Sequence, residues 1–232
     1  MREICLVGGD ARTDFAVQAL RDAGYRATRI PLDEAAVYAA QGGMIVGGGL
    51  QESLGGFDYF KNEAFLYDNA RITAEGAVML LGKSTSGTVF GMDVAVIGMG
   101  RIAECLCPLL RALGARVSVY ARRDEALARA RALGVETVRF SGTLPACAMQ
   151  HDAICNTVPH VLYHRELLAG AMRDVLLMEL ASAPGGFDMN AVRELGLTYV
   201  NGQGLPGKYA PRAAGKLIAD FVIDALRREE HE

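Results

Sequence analysis

No uninterrupted apolar run in this 232-residue chain reaches the roughly 18–20 residues that a membrane helix needs. Nor is there a cluster of basic residues. The 24 Lys+Arg are spread along the chain against 27 Asp+Glu, for a net charge of −3. That pattern argues against a DNA- or RNA-binding surface. The opening MREICLVGGDAR has no basic-then-apolar leader, so the expected location is the cytosol. Cysteine is scarce and odd in number: Cys5, Cys105, Cys107, Cys147 and Cys155. Set mostly in apolar segments, these read as buried thiols rather than a secreted disulfide framework. Cys105 and Cys107 point to different faces of an expected helix and lack two further zinc ligands, so no metal is expected. Short-period repeats and low-complexity tracts are also missing. What the chain does have is apolar content, 51% hydrophobic against 22% charged. That suffices to offset chain entropy and rules out a disordered chain.

The hydrophobic pattern alternates between strand and helix. Strands are expected at 3–8, 25–30, 44–49, 64–68, 93–98, 116–120, 135–140, 152–157, 174–180 and 197–201. Between them fall helices at 11–23, 33–40, 73–81, 101–113, 124–133, 143–149, 164–170 and 188–195, with a long last helix at 211–229. The stretch 50–62 has no clear period. Buried strands alternating with helices predict an α/β fold with parallel sheets and right-handed crossovers. The Ser/Thr/Gly break at 84–88 suggests two units: a smaller N-terminal α/β domain over 1–84, and a doubly wound domain over 85–210. The last helix, 211–229, is expected to pack back onto the first unit.

VAVIGMGRIA is the strongest chemical signal. Gly98, Gly100 and Ala103 form G-x-G-x-x-A between an apolar strand and a helix. Gly98 permits the tight turn, Gly100 lets the backbone approach a pyrophosphate, and Ala103 lets helix and strand pack closely. The free N–H groups at the helix start, through Met99, Arg101 and Ile102, then receive phosphate. This predicts a Rossmann dinucleotide site. The next strand, RVSVY, selects the dinucleotide. An NAD site places Asp or Glu at its end to bind the ribose 2′-hydroxyl. Here Ala121 stands there, followed by Arg122 and Arg123, which suit a 2′-phosphate. The reading is NADP over NAD. The competing reading, a solvated helix start, sets two cations against the helix dipole.

Three further segments end strands on the same side. CNTVPH puts Asn156, Thr157, Val158 and Pro159 beside the expected nicotinamide position, with His160 as an acid–base candidate. ELASAPGG supplies Ala181, Ser182 and Gly185. GLPGKYAPRAAG supplies Gly204, Lys208, a second catalytic candidate, and Arg212. Loop glycines and prolines also serve as plain punctuation, and a lone loop histidine is usually an ordinary surface residue.

Taken together, GGDAR (8–12), AVIGMGRIA (95–103), VYARR (119–123), CNTVP (155–159), ELASAPGG (179–186) and GLPGKYAPRAAG (204–215) resemble the A-type subunits of the dipicolinate synthase family. The likeness runs almost throughout from about residue 64 to the end. It implies an NADP-dependent oxidoreductase of endospore formation, in the mother cell of a sporulating bacterium, that makes pyridine-2,6-dicarboxylate from dihydrodipicolinate. It also implies a partner, the flavoprotein-like B-type subunit of dipicolinate synthase, and a two-domain plan. The chain departs from the family by a shortened region around 43–62, by Lys208 for an aliphatic residue, by Arg212 for lysine, and by Glu179 for aspartate. A cyclic dicarboxylate needs cations. Arg12 is expected on one lobe and Lys208 or Arg212 on the other, with Ser182 and Gly185 beside the ring. A wider resemblance is to D-2-hydroxyacid dehydrogenases. Pro184 stands at their substrate arginine, and GLPGKYAP lacks their histidine, so the constellation for reducing a 2-keto acid is missing. Two other functions stay open: a different NADP-dependent dehydrogenase of a small acid, and a non-catalytic NADP-binding subunit. Self-association into a homo-oligomer is compatible with either.

Overall fold

The computed structural model describes residues 3–229. They divide into two compact units, one made of the chain up to Ile72 and from Gly204 onward, the other of Thr73–Gln203.

In the first unit four parallel strands lie in the order β2-β1-β3-β4: β1 (Ile4–Val7), β2 (Ala27–Ile30), β3 (Met44–Gly47) and β4 (Phe57–Asp58). Ile4 registers with Ala27 on one side and Met44 on the other. On one face pack α1 (Ala11–Asp22) and α9 (Pro211–Glu229). Ala16, Val17 and Leu20 of α1 meet Ile218, Ala219 and Val222 of α9 in the same buried cluster. The two helices touch backbone to backbone: a Cβ on Gly215 would sit 2.6 Å from the Arg12 carbonyl oxygen. On the other face α2 (Ala35–Ala40) covers Cys5, Ile30 and Ile45.

Two local expectations are corrected here. Segment 64–68 is not a strand. It opens α3 (Glu63–Ser84), which runs 22 residues without a break. The apolar run AFLY suggested a strand, but the buried positions Phe65, Ala70, Ala74, Ala77 and Leu81 recur at three- to five-residue spacing, which is helical. Asn62 starts the helix, its Oδ1 accepting the Phe65 N–H at 2.8 Å. GLPGKY likewise is not an open loop but a short helix, α8 (Leu205–Tyr209). The two units therefore meet along the chain inside α3, at 72/73, and at 203/204, rather than at 84 and 210.

The second unit is a six-stranded parallel sheet in the order β10-β9-β8-β5-β6-β7. Its strands are β5 (Asp93–Ile97), β6 (Arg116–Ala121), β7 (Glu136–Arg139), β8 (Ala153–Asn156), β9 (Leu176–Glu179) and β10 (Thr198–Asn201). Helices α4 (Arg101–Ala112), α5 (Asp124–Ala132), α6 (Arg165–Leu168) and α7 (Met189–Glu194) connect them. This is the doubly wound Rossmann arrangement. Its strand order reverses between β5 and β8, where such sheets open a crevice at their carboxyl edge. Among the described residues no helix is long and apolar enough to cross a membrane.

One side chain in this core is poorly served. Tyr163 is fully buried and stacks on Phe187 at 4.4 Å between ring centroids. Its hydroxyl finds no hydrogen-bond partner among the described residues. An unpaired buried hydroxyl costs roughly 1–3 kcal/mol. Tyr163→Phe keeps the stacked ring and removes that cost, so chemical denaturation should show a gain of about 1 kcal/mol. A loss of stability would mean that the hydroxyl is paired in solution.

Candidate functional site

At the reversal point of the second unit a cavity of about 560 Å³ opens. Three strand ends build it. Behind β5 comes Gly98, whose φ of +91° is a left-handed conformation. A Cβ there would meet Thr157 Oγ1 and Val158 Cγ2, both at 2.8 Å. Glycine is thus demanded by conformation and by space. Met99 is buried, and its carbonyl accepts from Arg129 Nη2 at 2.9 Å. Gly100 differs from Gly98: its φ is −97°, and a Cβ would meet nothing within 4 Å. The space beside it is open, at the first turn of α4, where backbone N–H groups lack helical partners. That opening suits a phosphate, so these residues fit a dinucleotide. Ala103 is fully buried, as close packing of α4 on the sheet requires. Arg101 and Ile102, half-buried in the first turn, lie outside the cavity lining.

The second wall is the end of β6. Tyr120, Ala121, Arg122 and Arg123 line the cavity. Both arginines are exposed, and their side chains make no hydrogen bond or ion pair among the described residues. The Tyr120 hydroxyl lies 2.8 Å from His151 Nε2. Burial pushes the Tyr120 hydroxyl's pKa up, with hydrogen bonding to Cys147 adding to the rise. Burial also pulls the His151 imidazole down, against the nearby acids. Sequence reasoning passed over this pair. The two residues lie 31 apart, and while Tyr120 stands in VYARR, His151 belongs to no motif.

The third wall is Thr157, Val158 and Pro159. Thr157 Oγ1 donates to the Ile97 carbonyl at 2.7 Å, tying this loop to β5. Asn156, expected beside the nicotinamide, is fully buried and is not part of the lining. It acts as a brace, donating from Nδ2 to the Val158 carbonyl (2.9 Å) and to Glu179 Oε1 (2.8 Å). Glu179, only 2% exposed, also accepts the N–H groups of Ala181 (2.9 Å) and Gly186 (2.6 Å). Desolvation raises its carboxyl pKa, while these three hydrogen bonds oppose the rise. Gly185 has φ +82°, and a Cβ there would meet Glu179 Oε2 at 2.7 Å. Buried Glu179 therefore shapes both the 157–159 and the 181–186 loops. The Ala183–Pro184 peptide is cis, and Ser182 is exposed at that turn. His160 is exposed beyond Pro159 and does not line the cavity.

The remaining expected residues belong to the first unit. Gly204 caps α8 with φ +70°, and Lys208 and Arg212 are exposed. Arg12 is also in this unit, on α1. The expectation that these cations come from two lobes is therefore corrected. The reason is local packing: a Cβ on Gly207 would lie 2.6 Å from Asp10 Oδ2, so α8 is seated against the start of α1. Asp10 caps α1 and holds Arg12 through Nε at 3.0 Å. Arg12 borders a second cavity, of about 690 Å³, at the carboxyl ends of β1–β3. Among the described residues no group of three or more His, Cys, Asp or Glu is placed to hold a metal. Cys5, Cys107 and Cys155 are buried, with burial pushing the Cys107 and Cys155 thiols up to about 12, whereas Cys147 is exposed.

Residues 68–181 match the family model of the D-isomer specific 2-hydroxyacid dehydrogenase, NAD binding domain. The chain is 31% identical over 173 residues to the A-type subunit of dipicolinate synthase from Bacillus subtilis (strain 168). That match spans 75% of this chain and 58% of the relative's length. Among solved structures, the A-type subunit of dipicolinate synthase from Bacillus halodurans superposes with a TM-score of 0.83 at 24% identity, covering 97% of each chain. The apo-structure of D-lactate dehydrogenase from Escherichia coli reaches 0.64 at 14% identity, covering 99% of this chain and 97% of that one. At those identities the two structures speak to the fold.

Proposed function

We propose that this chain, a homologue of the A-type subunit of dipicolinate synthase, binds NADP and oxidises dihydrodipicolinate to pyridine-2,6-dicarboxylate in endospore formation, paired with a flavoprotein-like partner. The observation that carries the cofactor reading is the wall formed by Ala121, Arg122 and Arg123 on the cavity of the second unit. It offers two cations unpaired among the described residues, and no carboxylate where a ribose-binding acid would stand. The matched NAD binding domain supports a nicotinamide dinucleotide in the coarser sense.

When bound, NADP would supply the hydride acceptor for the ring substrate. The ring substrate gives up one C–H as that hydride and a second hydrogen as a proton to solvent, and becomes aromatic. Aromatisation supplies the driving force, so the chain's task is to position the ring and stabilise charge. Gly98 and Gly100 keep the turn open to the pyrophosphate. Arg122 and Arg123 take the 2′-phosphate. Thr157–Pro159, braced by Asn156 and Glu179, border the nicotinamide, with Ala181, Ser182 and Gly185 on the adjoining loop. In the first unit, Arg12 and either Lys208 or Arg212 are the candidate cations for the substrate's carboxylates. The exposed His160 stands as the candidate proton relay.

The cofactor reading is tested by titration. The unmodified chain should bind NADPH more tightly than NADH, and Arg122→Ala with Arg123→Ala should remove most of the difference. A charge-assisted contact contributes about 1.5–3 kcal/mol. Solvent screening at these exposed arginines reduces that, so the expected preference is about tenfold or more. Equal affinities in the unmodified chain would overturn NADP in favour of NAD. NADPH formation from freshly generated dihydrodipicolinate, followed by absorbance with and without the flavoprotein-like partner, tests the reaction itself. Tight NADPH binding with no turnover in either case would favour a non-catalytic role.

A further inference from the structure

The cavity of the first unit has a wall of unusual chemistry. Its polar side chains are Arg12, Arg29 and Tyr59, and no carboxylate lines it. Each of the three has donor capacity left over. Arg12 uses only Nε, on Asp10, and its two terminal nitrogens make no hydrogen bond among the described residues. Arg29 is anchored by Nε to the Gly8 carbonyl at 2.9 Å and by Nη1 to both oxygens of Asp14 at 2.9 Å, which leaves Nη2. Tyr59 is only 7% exposed, yet its hydroxyl has no hydrogen-bond partner among the described residues.

The tyrosine is fixed in place. Its ring packs against Phe65 at 4.6 Å and edge-on to Phe60 at 5.0 Å. On its other side lies Gly48, where a Cβ would come within 2.6 Å of the ring. Burial raises its pKa, with Arg12 lowering it and Asp10 and Asp58 adding to the rise, so the hydroxyl feels the Arg12–Asp10 pair. Unlike that of Tyr163, the Tyr59 hydroxyl is not fully buried; it opens onto the cavity, where a ligand's oxyanion can accept its hydrogen bond. The acids that hold the arginines grip them from outside the lining, so the cavity presents donors alone. The rest of its wall is apolar or glycine, including Ile30, Leu50 and Phe60. That combination suits a flat apolar body carrying an oxyanion.

We infer that this cavity is a carboxylate subsite for a ring acid, with Arg12 and the Tyr59 hydroxyl as donors to the carboxylate and Arg29 completing the cationic wall. The inference rests on the function proposed above and assigns Tyr59 and Arg29 to it. Asp10 and Asp14 are positioning residues, holding the two guanidiniums at the rim.

The test is equilibrium binding of three probes to the full chain by calorimetry: pyridine-2,6-dicarboxylate, benzoate and inorganic phosphate. Tyr59→Phe should weaken both ring acids about tenfold while thermal stability and NADPH affinity stay unchanged, because the hydroxyl has no partner to lose. Arg12→Ala should weaken them by at least as much, again with unaltered NADPH affinity. Ring acids bound equally well by both variants would overturn the subsite. So would phosphate binding as tightly as the ring acids with the same Tyr59 dependence, and so would failure of all three probes to bind. Tyr59-dependent binding of benzoate with no binding of the dicarboxylate would uphold the subsite and overturn the proposed substrate.

Discussion

Gly100→Val should reduce NADPH affinity by at least a hundredfold and leave the thermal midpoint almost where it was. The φ of −97° is open to a β-branched residue, and the added Cβ meets no atom within 4 Å. Nothing in the folded chain resists the change. The valine methyls instead occupy the space beside the first turn of α4, where the pyrophosphate reaches backbone N–H groups. Losing two charge-assisted hydrogen bonds at about 1.5–3 kcal/mol each gives roughly a hundredfold or more. Gly98→Val is the informative contrast. There φ is +91° and the Cβ would press on Thr157 and Val158 at 2.8 Å, so that variant should lose stability as well as nucleotide. Retained micromolar NADPH binding in folded Gly100→Val would show that the turn is structural only.

Glu179→Ala should destabilise the protein by roughly 3–5 kcal/mol, because it leaves three buried donors without their acceptor. Those donors are Asn156 Nδ2 and the N–H groups of Ala181 and Gly186. The 157–159 loop depends on Asn156, so nucleotide affinity should fall as well. Glu179→Gln keeps the shape but sets an amide nitrogen against one of these donors, and a smaller loss of about 1–3 kcal/mol is expected. The two side chains differ in pH dependence. Burial raises the folded-state pKa of Glu179 above 4.5, so the folded state holds its proton to higher pH than the unfolded chain does. The stability linked to this group is therefore fully present below 4.5 and is lost as pH rises through the folded value. The advantage of the unmodified protein over Glu179→Gln should shrink across that window in denaturant titrations. An advantage that grows with pH would place the folded pKa below the ordinary value instead.

The cofactor half was legible in the sequence because its signals are local. G-x-G-x-x-A, the apolar strand before it and the Ala-Arg-Arg after RVSVY lie within one strand–helix–strand unit. Backbone geometry alone then places Gly98, Gly100, Ala121, Arg122 and Arg123 on one cavity. Parallel strands joined by helices also fix the doubly wound order, since right-handed crossovers leave few topologies. Segment 64–68 misled because a five-residue apolar window does not separate a strand from the first turn of a long helix. Tertiary structure alone decided the rest. Asn156 reads as a site residue from its motif, yet pairing across 23 residues with Glu179 turns it into a brace. Lys208 and Arg212 read as the far side of a cleft, yet bare Gly207 lets α8 sit against Asp10, in the same unit as Arg12. Tyr59, in a stretch without period, gains its meaning from Gly48, eleven residues earlier, which leaves room for the ring. A motif records what the backbone does over a few residues. Which buried donors find acceptors depends on contacts between distant segments, and those are settled only when the chain packs.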